Sequence, residues 1–294
     1  MIGGQSATLA HGNHVGDAAR RGFCLFPVLP GDKRPAVDRW EQRACNDPDR
    51  VVRYWPSPRH NVGIACGPSR LVVIDLDCHG DLPADWQAIP GVTDGRDVFA
   101  QLLEWAGQPW PVTYWTATPT GGWHLVFRAP DGSRIRNSAG QLGPSIDVRA
   151  AGGYVLGAGS VVDERAYPDK PALAALVKGG KAYEVLDDTP PAPLPAWLYR
   201  SLTPSRPAIV RRADNSAPPA ARLGGLVRTV RDSQPGDRTG PLVWAAHRLA
   251  EMISEGNASP DDGELLVEAA VAAGIGGGER YARYQVTHVL GGAR

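Results

Sequence analysis

Asp75 and Asp77 close the run Leu71-Val72-Val73-Ile74-Asp75-Leu76-Asp77. Leu71–Ile74 is aliphatic and largely β-branched, which predicts a buried strand. Residues i and i+2 of a strand share a face, so the two carboxylates project side by side, their Cα atoms roughly 7 Å apart. Leu76 points the other way, into apolar packing. Adjacent carboxylates repel each other unless water surrounds them or a cation sits between them. Either the pair caps the strand in solvent or it holds a divalent ion.

The segment Trp123-His124-Leu125-Val126-Phe127-Arg128 alternates in the same way. Trp123, Leu125 and Phe127 form the expected core face, which puts His124 on the more polar side with Val126 and Arg128. His124 follows Thr120-Gly121-Gly122, where missing side chains would let a bulky anion approach the backbone. It reads as a structural histidine or as a ligand. In Ser145–Gly153, Ile146 and Val148 face inward, while Ser145, Asp147 and Arg149 share the opposite face. Aspartate is disfavoured in mid-strand, so Asp147 needs a salt bridge or a metal shared with Asp75 and Asp77.

Together, these carboxylates and the histidine match the needs of in-line phosphoryl transfer. Three carboxylates can hold two divalent ions, one lowering the pKa of an attacking hydroxyl and one neutralising a triphosphate and its leaving pyrophosphate. Oxygen ligands suit Mg²⁺ or Mn²⁺ rather than zinc. Other basic residues leave two readings each. Lys33 and Arg34 follow a Gly31-Asp32 turn and either reach a triphosphate or face solvent. Arg149 either binds phosphate or pairs with an aspartate. Arg134 and Arg136 lie in an expected loop, solvated or against a nucleic-acid backbone. Trp115 and Trp123 either stack on bases or pack inward.

The elements that must position these residues occupy a mixed α and β block from about Asp17 to about Leu186. Asp17–Gly22 ends a helix and Phe23–Leu29 is a strand. Asp47 and Pro48 supply an N-cap and an N1 proline for a short helix, Asp49–Trp55. Asn61–Gly67 is a strand, and Gly67-Pro68-Ser69 turns it into the carboxylate strand, so the two read as a hairpin. Asp97–Ala106 is a helix closed by Gly107. Strands follow at Tyr114–Ala117, Trp123–Ala129 and Ser145–Ala150, with Tyr154–Ala158 returning from the Gly152-Gly153 turn. Asp187–Pro195 is proline-rich and Pro204–Ala221 has no apolar period, which marks a linker. Helices are expected at Leu223–Arg231, Pro241–Ser254, Asp261–Ala273 and Gly278–Leu290, the third started by Ser259 as N-cap and Pro260 at N1.

With 294 residues, 43% of them hydrophobic, the chain can bury one large core or two modest ones. Its 31 basic residues balance its 31 acidic ones, so net charge points to no nucleic-acid or membrane partner. Cys24, Cys45, Cys66 and Cys78 form no C-x-x-C pair, so no structural zinc is expected and free thiols are the default. No apolar run approaches a membrane span and the start lacks a signal-peptide pattern, which reads as a cytoplasmic protein.

The order VVIDLD, then GGWHLVF, then SIDVRAAGGYVLGAGS resembles the primase-polymerase (prim-pol) domain, the bifunctional DNA primase/polymerase N-terminal family of the archaeo-eukaryotic primase superfamily. The resemblance extends through Leu25–Val37, Trp55–Ser69 and Lys181–Leu186, and so over roughly residues 15–190. It implies an α+β fold: an RRM-like antiparallel sheet with a smaller N-terminal α/β unit, followed by a C-terminal helical module. Residues 1–200 would be the catalytic domain, 201–221 a linker and 222–294 the helical module. It implies that Asp75, Asp77 and Asp147 hold two Mg²⁺ or Mn²⁺ ions, and that His124, with Lys33 and Arg149, binds the nucleotide's phosphates. The superfamily's Ser-x-His is not matched, because Gly122 takes the serine position; backbone N–H groups are left to substitute.

The implied activity is template-directed nucleotidyl transfer from (d)NTPs on single-stranded DNA, in replication of a plasmid, phage or integrated element. Such domains often carry a helical module needed for primer initiation, and a helicase fused or as a partner. No Walker-type G-x-x-x-x-G-K-[ST] occurs, so helicase activity is not encoded here. The ending Gly291–Arg294 has no clear stop signal, as in the front piece of a longer protein. A metal-dependent phosphodiesterase or nuclease, and a non-catalytic nucleotide- or DNA-binding module, are the rival readings.

Overall fold

The computed structural model describes residues 14–57, 59–203, 217–234 and 238–291. Its strands in chain order are β1 (Leu25–Val28), β2 (Asn61–Ala65), β3 (Leu71–Leu76), β4 (Tyr114–Ala117), β5 (Trp123–Arg128) and β6 (Ser138–Gly143). They continue as β7 (Ile146–Arg149), β8 (Tyr154–Leu156), β9 (Val161–Val162), β10 (Lys181–Ala182), β11 (Glu184–Asp187) and β12 (Ala192–Pro193). Helices and largely antiparallel strands make this an α+β chain. It divides into two compact units, one holding the described residues up to Phe99 with Pro111–Leu194, the other Ala100–Trp110 with the described residues from Pro195 onward.

In the first unit the larger sheet runs β11-β4-β5-β3-β7-β6, with β12 parallel to β5. The smaller sheet runs β1-β2-β8. Strand periodicity puts Leu71, Val73 and Asp75 on one face of β3. Leu71 and Val73 cluster there with Tyr114 and Val126 of the same sheet and with Val62, Ile64 and Val155 of the smaller one. Each such aliphatic side chain, fully buried, contributes about 1.5–3 kcal/mol. The face that is apolar at Leu71 and Val73 therefore turns polar at Asp75, and the site lies where that apolar contact ends.

The predicted hairpin is not formed. β2 pairs with β1 and β8, while β3 pairs with β5 and β7 in the other sheet. The connecting turn is tight, with Leu71 N–H bonded to the Cys66 carbonyl at 2.9 Å and Arg70 at φ 54°. It redirects the chain from one sheet to the other because both strands find longer-range partners. Likewise β8 does not return along β7 but joins β2. The edge strand β6 is paired with β7 where no strand is legible, since its sequence SAGQLG is low in β-formers. Asp47 caps Pro48–Tyr54 as expected, accepting from the Asp49 and Arg50 N–H groups.

The second unit is helical: Ala196–Leu202, Pro219–Arg231, Thr239–Ser254, Gly263–Ala272 and Gly278–Gly291. Leu242, Ala246, Leu249, Leu266, Ala270 and Ala282 are among its buried residues. Ser259 forms a full capping box with Asp262, and a single 3₁₀ turn, Pro260–Asp262, precedes the helix at Gly263. The ends of the expected 201–221 linker are helical, because Pro219 sits at N1 of its helix and Ala196–Leu202 runs past 200. Residues 204–216 of that expected linker, and residues 292–294, lie outside the described residues. Among the described residues no helix is long and apolar enough to cross a membrane.

Candidate active site

Strand register builds the centre of the site. Asp75 of β3 is paired with His124 of β5 on one side and with Asp147 of β7 on the other. Directly opposed residues on one face hold their Cβ atoms about 4.5–5.5 Å apart, so Asp147, Asp75 and His124 form a row across three strands. His124 Nε2 lies 3.4 Å from Asp75 Oδ1. Arg149 Nη2 lies 2.7 Å from Asp147 Oδ2 and 3.6 Å from Asp75 Oδ2. Asp77 falls just past the end of β3, where its N–H bonds the Ser145 carbonyl at 2.9 Å and its own carbonyl accepts from Gly95 N–H at 2.8 Å. Its Oδ1 is 3.1 Å from His79 Nε2.

All of these groups but Asp147 face a cleft of about 290 Å³, whose wall includes Lys33, Asp75, Asp77, His124 and Arg149. Asp147 is not in that wall and connects to it through Arg149. The expected polar face of β5 is interrupted: Val126, between His124 and the exposed Arg128, is 3% exposed and belongs to the core cluster. His124 itself is 6% exposed, its ring 5.6 Å from that of Tyr183, and its Nδ1 has no hydrogen-bond partner among the described residues. Buried polar atoms are normally paired, so Nδ1 is a candidate contact for a water or a ligand.

The charges are unevenly compensated. Burial by itself would lift the Asp75 carboxyl, but His124, Arg149 and Lys33 outweigh burial and hold it below the ordinary range. Burial and the neighbouring Asp75 charge raise Asp77 against the pull of His79. Burial and Asp75 also raise Asp147, although Arg149 opposes them. Two carboxylates thus carry repulsion that a cation would relieve, and the oxygen donors suit a hard divalent ion. Among the described residues no three His, Cys, Asp or Glu side chains are gathered at ligand distance. Arg149 spans Asp75 and Asp147, so an ion shared by those two must displace its guanidinium.

Of the other sequence candidates, Lys33 reaches the cleft from the turn after β1, its Nζ 4.4 Å from the centre of the Tyr167 ring. Arg34 does not: its Nε donates to Asp32 Oδ2 at 2.7 Å. Arg134 and Arg136 are outside the cleft wall, and Arg136 forms an isolated bridge with Ala151. Trp115 and Trp123 meet edge to face at 4.8 Å, with Arg96 over the Trp123 ring. Sequence reasoning gave no role to His79, Thr118, Asn137, Tyr154 or Tyr183, all of which line the cleft. The proximity of Thr118 and Thr120 to His124 in TPTGGWH was the available signal for that loop.

The site is thus a row of acid and imidazole groups across antiparallel strands of an α+β protein, with cations in the neighbouring cleft. The family model described as bifunctional DNA primase/polymerase, N-terminal, matches residues 16–197, and the chain belongs to that family. At family level this makes it a nucleotidyltransferase-type DNA primase/polymerase. No curated protein matches the chain.

Proposed function

We propose that the chain is a template-directed primase-polymerase that copies single-stranded DNA by two-metal nucleotidyl transfer. The observation that carries this reading is the Asp147–Asp75–His124 row, with Asp77, Lys33 and Arg149 beside it. In this reading the larger sheet is the RRM-like sheet of the primases. Asp75, Asp77 and Asp147 would hold Mg²⁺ or Mn²⁺, which when bound lowers the pKa of the primer's 3′-hydroxyl and offsets charge on the triphosphate and the departing pyrophosphate.

The protein's own groups do the positioning. His124, Lys33 and Arg149 contribute N–H donors to the triphosphate, and this fixed geometry replaces the entropy cost of a collision between two solutes. Arg149 exchanges its carboxylate partners for phosphate as ligands enter. The apolar cluster beyond Val73 holds the strands in register, so that the donors stay aligned. The partners are a single-stranded DNA template and dNTPs or NTPs, with a helicase fused or separate, in replication of a plasmid, phage or integrated element.

The test is primer synthesis on single-stranded DNA with labelled nucleotides and Mn²⁺ or Mg²⁺, with no primer and then with one. Asp75→Ala/Asp77→Ala protein is run alongside. Oligomers from the wild type alone support the reading. No product with or without primer rejects it, and metal-dependent strand cleavage in the same tubes would replace it with a nuclease.

A further inference from the structure

We infer that Thr118 and Thr120, rather than a residue beside His124, supply the hydroxyl contact to the nucleotide's triphosphate; this rests on the polymerase reading and deepens it. Gly122 stands where a serine two residues before the histidine would offer a hydroxyl. A Cβ on Gly122 would fall well inside van der Waals contact of the Leu76 carbonyl oxygen, and 3.2 Å from Thr118 Oγ1. Leu76 lies between Asp75 and Asp77, so a side chain at 122 would push against the very strand that carries them. A hydroxyl is nevertheless at hand, since Thr118 Oγ1 stands next to that point.

The loop joining β4 to β5 is built to hold it there. Thr118 N–H donates to the Gly122 carbonyl at 2.8 Å, and Gly121 N–H donates to the Thr118 carbonyl at 2.9 Å. Gly121 takes φ 97°, a conformation that disfavours any side chain. The Cys78 thiol donates to the Thr120 carbonyl at 2.9 Å, which fastens the loop to the chain just beyond Asp77. Thr118 and Thr120 both line the cleft of Asp75, Asp77 and His124, and their Oγ1 atoms are 3.2 Å apart.

Proton counting gives the pair its chemistry. Two hydroxyls carry two protons, and their mutual bond uses one. The other O–H remains to donate, in a cleft that also holds Lys33 and Arg149. An oxygen acceptor with negative charge is what such a set recognises, and the phosphates of a nucleoside triphosphate provide it.

The experiment uses the full chain and its Thr118→Val, Thr120→Val, Thr118→Ser and Thr120→Ser variants, each checked for an unchanged melting temperature. Two readouts are taken: KM and kcat for dNTP in primer extension, and equilibrium binding of a non-hydrolysable dNTP analogue with Mg²⁺. At least one valine variant is expected to weaken triphosphate binding and raise KM by about ten- to a hundredfold, as loss of a hydrogen bond to a charged group does. Its kcat should change less, and serine should restore binding. Wild-type-like binding and KM in folded valine variants would overturn the inference while leaving the polymerase reading intact. Conversely, an inactive wild type that binds the analogue in a threonine-dependent way would reject the polymerase reading and keep the hydroxyl contact. A wild type that binds no triphosphate would overturn both. Should either valine variant melt early, Thr118→Ala and Thr120→Ala, compared with the serine variants, decide the matter by the same binding readout.

Discussion

Arg149 holds Asp147 at 2.7 Å and Asp75 at 3.6 Å in a site where Asp77 and Asp147 are both pushed toward protonation. It is the group that compensates the row before any ligand arrives. A guanidinium one-third exposed is screened by water, so its pairing energy is modest. Its removal takes from Asp147 its main counter-charge and leaves Asp75 with His124 and Lys33. Arg149→Ala should therefore melt a few degrees lower than wild type in chelator-treated buffer. Mg²⁺ or Mn²⁺ should then raise its melting temperature more than that of the wild type, because the ion meets no competing cation. Equal metal-induced shifts in the two proteins would show that Arg149 does not occupy the place of an ion. Triphosphate affinity should fall in the same variant if the arginine moves to phosphate during the reaction.

At the scale of elements, the β4–β5 connection is set by close approach to β3. Gly122→Ser would restore the superfamily's serine in name, yet its Cβ cannot fit beside the Leu76 carbonyl. The expected result is destabilisation of about 1–3 kcal/mol with lower activity, seen as an earlier melt and slower extension; a neutral or gained activity would contradict the packing. The helix Gly278–Gly291 offers a pH test. Burial, and the nearby His247, lower the pKa of His288 from its ordinary 6.5, and its ring stacks on Tyr284 at 5.4 Å. The unfolded chain then takes up a proton first, so this contribution is complete above pH 6.5 and is lost as pH falls through the folded-state value. His288→Gln should flatten that part of the stability profile, measured by denaturant melts between pH 7.5 and 5. Local chemistry made several elements legible in the sequence: the Asp47 and Ser259 caps, and the alternation that puts Asp75, His124 and Asp147 on polar positions. The failed hairpin shows the limit, since Gly67-Pro68-Ser69 announces a turn but not which sheet each strand will join. His79, Thr118, Asn137 and Tyr154 reach the cleft through loops and through the smaller sheet, so no periodic pattern in the chain marks them.

At the scale of the molecule, the family match ends at residue 197, which invites a cut there. Compactness argues for a different outcome. Residues Ala100–Trp110 belong to the unit formed by the chain from Pro195 onward. Within that unit the Trp105 ring lies 5.4 Å from the ring of Tyr281, and Gly276 and Gly277 pass so close to Trp105 that no side chain would fit at either position. A fragment ending at 197 keeps Trp105 and loses Tyr281 and the Gly276-Gly277 backbone that pack against it. A tryptophan buries up to about 250 Å², and its exposure creates an apolar patch of the kind that drives association. The fragment should melt below the full chain, show red-shifted tryptophan emission and scatter light at concentrations where the full chain does not. Trp105→Gln should relieve the scattering in the fragment while destabilising the full chain, since the same ring is a liability in one context and a packed group in the other. A fragment as stable and monodisperse as the full chain would mean that residues 100–110 need nothing from the C-terminal helices, and that the family boundary is also the boundary of folding.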